Sequence, residues 1–215
     1  MKKGLFLIFF MGLSCLGNAQ KLFMPDFSKF SSESMQAAFP KDNVSFMNSD
    51  EQKLVFYMNL LRLDPQLFMD EIVKPYVAFN ELNVNNYVKS LYKDLSKAPP
   101  TSPFFMREDL YKMAESHLED IGKKGLTGHV GSNGKTFAKR AAPMLEKYET
   151  VSENVGLGFY SPLDNLIGLL IDDGVKDLGH RKAILSPNYN CVGVAIGKHK
   201  EFVYGCVMDF GYLAN

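Results

Sequence analysis

Ser152-Glu153-Asn154-Val155 and Gly179-His180-Arg181-Lys182-Ala183-Ile184-Leu185 are the stretches whose reading decides this chain. The first puts a carboxylate inside a strand-like, mostly apolar run. A lone buried charge is very costly, so Glu153 calls for an imidazole or a metal ion as partner, or else anchors a neighbouring loop. The second puts an imidazole beside a glycine. A third stretch, Gly128-His129-Val130-Gly131-Ser132, adds another histidine of the same kind. Loops flanked by glycine let backbone approach a ligand and let side chains converge. Together the three point to one polar cleft built from loops around a packed core.

Working outward, the residues between and around these stretches read as alternating helices and strands. Ser49 with Gln52 makes a capping box, and Leu54, Val55, Met58 and Leu61 follow at helical spacing. Asp64-Pro65 starts a second helix, as an N-cap followed by proline. Residues 83–95 form a short helix. Residues 108–124 form a long one, with Leu110, Met113, Ala114, His117 and Ile121 on one stripe and Gly125 after the end. Phe137 to Tyr148 reads as helical across Pro143. Residues 150–159 read as a strand. Ser161-Pro162 caps a helix that ends at Asp172-Asp173-Gly174, and strands Cys191–Gly197 and Phe202–Phe210 close the chain. Residues 20–47 show no period and read as an extended lead-in. A few strands with helices on more than one side make a layered α+β domain rather than a parallel βαβ array.

Hydrophobic content of 46% and charged content of 22% are globular values, and the 215 residues suffice for one domain with a real core. A formal net charge of zero gives no reason to expect nucleic acid or an anionic membrane as partner. Lys2 and Lys3, the apolar run Leu5–Leu16 and Gly17-Asn18-Ala19 form an export signal over residues 1–19, too short to span a bilayer. The mature chain then begins at Gln20 as an exported protein, extracellular or periplasmic, without a transmembrane segment. It carries 22 basic and 24 acidic side chains and a net charge of −2. Cys15 is a poor match to a lipoprotein signal. Cys191 and Cys206 remain, and export permits a disulfide. A turn at Lys198-His199 would put them opposite each other, a turn at His199-Lys200 would offset them by two, and buried free thiols are the third possibility.

The other two histidines read differently from His129 and His180. His117 lies on its helix's apolar stripe and reads as a core histidine with a hydrogen-bond partner. His199, between lysines at a hairpin tip, reads as solvated. On a helix advancing about 100° per residue, Asp173 falls about 60° from the stripe of Leu166 and Leu170, and Asp172 falls nearly opposite. Asp173 is therefore the better candidate to face the cleft.

From residue 48 onward the chain resembles the superfamily of cysteine-rich secretory proteins, antigen 5 and pathogenesis-related-one proteins (CAP, or SCP-like, domains), in its bacterial branch. The resemblance rests on Leu110-x3-Ala114-x2-His117, Gly128-His129, Asn133-Gly134-Lys135 with Arg140, Ser152-Glu153-Asn154-Val155 and Gly179-His180-Arg181. Leu185-Ser186-Pro187-Asn188-Tyr189, Val192-Gly193-Val194-Ala195 and Asp209-Phe210-Gly211 complete it. It implies a three-layer α-β-α sandwich over residues 48–215, preceded by an N-terminal extension over 20–47. It also implies a central cavity lined by His129, Glu153, His180 and a second acid, Asp173 or less favourably Asp172. In some relatives that cavity holds zinc or another divalent ion, here on His129 and His180.

Imidazole nitrogen favours zinc over magnesium or calcium, and carboxylates would serve as outer acceptors for water or imidazole N–H. No contiguous motif such as HExxH supports a metalloprotease. A binding module for a lipid, a glycan or a protein is the favoured reading, since the cavity has no evident nucleophile. The alternative is a hydrolase with Glu153 as general base on a metal-bound or histidine-held water. Ser132 and Ser152 sit in no strand-turn-helix elbow and make weaker nucleophiles.

Overall fold

The computed structural model describes residues 22–39 and 44–214, so the expected export signal at 1–19, with Cys15, lies outside the described residues. A four-stranded sheet in the order β1-β3-β4-β2 forms the middle layer. β3 (Cys191–His199) and β4 (Val203–Tyr212) make an antiparallel hairpin. β2 (Thr150–Leu157) lies antiparallel on the far side of β4, and the two-residue β1 (Phe105–Met106) runs parallel to the start of β3.

Side chains alternate across a strand, and the two faces of this sheet differ in size. Gly193, Ala195 and Gly197 of β3, with Gly205 and Val207 of β4, lie under the helix α6 (Glu108–Lys124). Val192, Val194, Ile196, Cys206, Met208 and Phe210 face the other way, into the main core with α2 (Ser49–Leu63) and α8 (Pro162–Ile171). Small residues on one face let α6 sit almost on the backbone. A Cβ at Gly193 would lie 2.0 Å from the Tyr111 nitrogen and 2.3 Å from the Leu110 carbonyl carbon. Because the clash is with backbone, no rotamer relieves it. Gly193→Ala is expected to lower the unfolding free energy by about 3 kcal/mol, the upper range for overpacking; an unchanged urea midpoint would show that α6 can lift off at no cost.

Acidic Glu108 and Asp109 open α6, Lys123 and Lys124 close it, and Gly125 ends it in the left-handed region at φ 68°. On the opposite layer, α3 (Pro65–Phe68) starts at Asp64-Pro65 as the spacing predicts. It then passes through a π turn (Met69–Val73) into α4 (Lys74–Phe79). Pro75 has no N–H to offer the carbonyl four residues back, so the ladder loosens before it. α5 (Asn86–Leu95) and the short α9 (Gly179–Leu185) complete this layer. The result is the α-β-α sandwich and α+β class expected from the sequence. Pro143 does interrupt the helix expected over 137–148: α7 (Phe137–Ala141) becomes a 3-10 turn over Ala142–Glu146.

The lead-in is not extended throughout, contrary to expectation: α1 (Ser32–Ala38), capped by Ser31, packs on α2, with Phe30 and Ala38 buried and Phe27 stacked on Tyr57. Its aromatic residues have no period because their partners lie on another helix. The cap of α2 is Asn48 with Glu51, one residue earlier than the expected Ser49 with Gln52. The hairpin register sets Cys191 opposite Gly211 and Cys206 opposite Ile196, on different faces, and both thiols are free and buried. His199 is buried, not solvated: its Nε2 pairs with the Leu126 carbonyl at 2.8 Å, and its Nδ1 accepts from the Glu201 and Phe202 amides. Among the described residues no helix is long and apolar enough to cross a membrane.

Candidate functional site

β2 is an edge strand, and its alternation sends Glu153 and Asn154 to opposite faces. Glu153 points to the α6 side. Its Oε1 receives His129 Nδ1 at 2.8 Å and Arg140 at 2.7 Å, and its Oε2 receives Arg140 at 2.5 Å. A carboxylate only accepts, so His129 donates from Nδ1, and among the described residues its Nε2 takes part in no hydrogen bond. The imidazole side chain is 47% exposed, whereas the Glu153 carboxylate is fully buried. Arg140 also donates to the His129 carbonyl at 2.8 Å, which fixes the loop that carries the imidazole.

Asn154 points the other way and donates to the His180 carbonyl at 3.1 Å. The His180 ring is held by Asp172: Nδ1 meets Oδ1 at 2.6 Å, and Asp172 Oδ2 accepts the backbone N–H groups of His180 and Arg181. Again Nδ1 donates, and among the described residues Nε2 takes part in no hydrogen bond. Asp172 thus ends α8 with its backbone and caps α9 with its side chain. Asp173, the residue favoured from the helical projection, is exposed and accepts from Asn85 at 2.9 Å. The projection fails because Asp172 has already left the helix, at φ 58° and ψ 39°, so its side chain turns back toward α9.

The structure therefore brings His129 to Glu153 and His180 to Asp172. Among the described residues no hydrogen bond or ion pair joins the two dyads, and no three His, Cys, Asp or Glu side chains gather as a metal-binding group. Each dyad has the donor chemistry of a carboxylate-supported ligand imidazole. Neither is a closed three- or four-ligand zinc site.

Three further groups belong to the Glu153 side: Arg140, His117 and Asp209. His117, buried on α6, bonds the Gly128 carbonyl through Nε2 at 2.9 Å and lies 3.8 Å from Glu153 Oε1, while its Nδ1 has no partner. Asp209 on β4 stands directly across the ladder from Glu153, fully buried, with no donor to either oxygen. Burial pushes its carboxyl well up, and the charge of Glu153 pushes it further. Burial would also raise Glu153, but the bonds from His129 and Arg140 outweigh it and hold that carboxylate below its usual range. Two adjacent buried carboxyls resist ionising together, which favours the protonated form of Asp209. Burial lowers the affinity of His117 for a proton.

Asp209 makes a signed prediction. An acid whose folded pKa is raised contributes its full stability below its unfolded value, about 3.9, and loses it as pH rises through the folded value. Asn has nearly the same size and shape and does not titrate. Asp209→Asn should gain stability relative to wild type as pH rises from about 4 to 8. Parallel denaturation curves across that range would mean Asp209 is not held protonated.

His117 reads from sequence as a core residue, and its hydrogen bond agrees; its place beside Glu153 did not show. Arg140 and Asp209 stood in recognisable motifs, but nothing local linked them to Glu153.

A sequence model of the Cysteine-rich secretory protein family (CAP) matches residues 79–210, more than half of the chain. No curated protein matches. Among solved structures, an outer surface protein from Borrelia burgdorferi is 17% identical with a TM-score of 0.45, over 62% of this chain and 97% of that one. An extracellular SCP-domain protein from Bacillus anthracis is 13% identical with a TM-score of 0.43, over 72% and 42%. A cysteine-rich secretory protein from Staphylococcus aureus is 18% identical with a TM-score of 0.40, over 60% and 40%.

Proposed function

The chain belongs to the cysteine-rich secretory protein family, and from that premise we propose that it is an exported binding module whose recognition groups are the outward Nε2 atoms of His129 and His180. The supporting observation is that each imidazole is held at Nδ1 by a buried carboxylate, Glu153 or Asp172, which presets its tautomer and direction. An Nε2 lone pair fixed in this way suits a proton donor on a lipid, glycan or protein partner, or a divalent cation such as zinc. A metal-bound form would use His129 and His180 as ligands with water in the other positions, and the carboxylates as outer acceptors.

A hydrolase is less well supported. Glu153 is held below the ordinary carboxylate range and is doubly bonded to Arg140, the reverse of a base tuned toward neutral pH. Ser132 Oγ donates to Asp120 at 2.5 Å, so it is not engaged with an imidazole.

Calorimetry with zinc, calcium and magnesium on wild type, His129→Ala and His180→Ala tests the cation form of the reading. Saturable zinc binding that is lost in both variants is expected. Binding that survives both would remove the imidazoles from the site. Absence of any cation binding would leave only the metal-free form. Robust turnover of a defined substrate that is abolished in both variants would replace the module with the hydrolase.

A further inference from the structure

A groove of about 760 Å³ lies away from both dyads, between α6, the N-terminus of α2 and the outer edge of β3. β1 covers β3 only at Cys191 and Val192, so from Gly193 to His199 the strand is paired on one side alone. Two bonds tell which backbone groups face outward. The Val192 carbonyl accepts from Arg107 at 3.0 Å, and the Ile196 N–H donates to Glu51 Oε1 at 2.9 Å. Outward groups recur at every second residue, so the Ile196 carbonyl and the Lys198 N–H also turn to this edge. The Glu51 carboxylate stands where the carbonyl of a neighbouring strand would stand.

The groove is charged by position. α6 and β3 run in the same direction, since Tyr111 lies on Gly193, Leu118 on Gly197 and Gly122 on Lys198. Glu51 and Glu115 line one end, with Glu119 further along. Lys123, Lys198 and Lys200 line the other end, over an apolar floor of Leu118 and Ala195. Glu115 and Lys123 are about 12 Å apart along the helix at about 1.5 Å per residue. An extended five-residue peptide spans about 13 Å between its first and last Cα atoms.

We propose that this groove takes an extended peptide segment as an added strand on the outer edge of β3, with a basic residue toward Glu115 and Glu119 and an acidic residue four positions away toward Lys123 and Lys200. Backbone pairing to the Ile196 carbonyl and the Lys198 N–H supplies binding, and the charged ends set direction. The groove shares no residue with either His–acid dyad, so this inference and the proposed function can fail separately.

The probe is acetyl-Lys-Thr-Val-Thr-Glu-amide, titrated into nitrogen-15-labelled protein. Saturable amide shifts at residues 195–199 and along 115–122 are expected. The peptide with glutamine at both ends should bind about fivefold more weakly, and Glu115→Lys/Glu119→Lys should weaken the charged peptide about tenfold. Lys198→Pro removes one outward N–H without touching the β4 ladder and should abolish binding. No saturable shift in wild type, shifts centred on residues 129 or 180, or full affinity in either variant would each overturn the proposal. If Lys198→Pro does not fold, the exposed α6 double variant decides alone.

Discussion

Replacing Arg62 with methionine is expected to lower the unfolding free energy by about 4 kcal/mol, among the largest single losses available in this protein. Arg62 is 1% exposed on α2 and, among the described residues, pairs with no carboxylate. Its guanidinium is satisfied by four carbonyls: Ser102 at 2.8 Å, Ile184 at 2.9 Å, Ser186 at 2.8 Å and Tyr189 at 2.9 Å. It also stacks 3.9 Å over the Phe104 ring. Burial pulls its pKa down to about 10, so the cation is held at a cost in desolvation. An apolar replacement relieves that cost, but it strands carbonyls from two distant segments, at roughly 1–3 kcal/mol for each that water cannot reach. The stranded carbonyls outweigh the relief. A fall of about 10 °C in Tm should accompany the loss, at about 2–4 °C per kcal/mol for a chain of this size. A Tm within two or three degrees of wild type would show that the 184–189 segment is held by other contacts.

Glu153→Ala is expected to cost about 3–5 kcal/mol, because it leaves the Arg140 cation without its buried partner. The Arg140 side chain is only 13% exposed, so water cannot fully replace the carboxylate. The same change removes the acceptor that holds the His129 ring at Nδ1. Glu153→Gln keeps an acceptor for Arg140 and should cost less. The pH dependence has a definite sign. A carboxylate with a lowered folded pKa contributes stability above its unfolded value, about 4.3, and loses it as pH falls through the folded value. The gap between wild type and Glu153→Ala should therefore close in acid. A gap that stays constant down to pH values near about 2 would mean that the carboxylate charge is not what Arg140 needs.

The elements that periodicity could reveal were legible. α6 announced itself through Leu110, Met113, Ala114 and Ile121 on one stripe, and Gly125 closed it where expected. Asp64-Pro65 and Ser161-Pro162 each opened a helix, since a short acceptor followed by a fixed φ acts locally. Long-range partners were not legible. Nothing in the local sequence marks Arg62 or Arg181 as buried hubs, yet both are; Arg181 bonds the Leu170, Ile171 and Tyr87 carbonyls together with Asp94. α1 was hidden for the same reason, since Phe27 and Phe39 on either side of it answer to Phe56 and Tyr57 on α2.

By itself, the order of residues determined the layered α+β class, because hydrophobic period and capping are properties of neighbouring positions. Only the tertiary structure decided the pairings. Asp172 rather than Asp173 holds His180 because the helix ends one residue before a projection can assume it does. Asp209 is pushed toward its protonated form because it is buried and the β2–β4 register sets it opposite Glu153. A partner's identity depends on where a chain reverses, and that is settled by packing across the whole sheet.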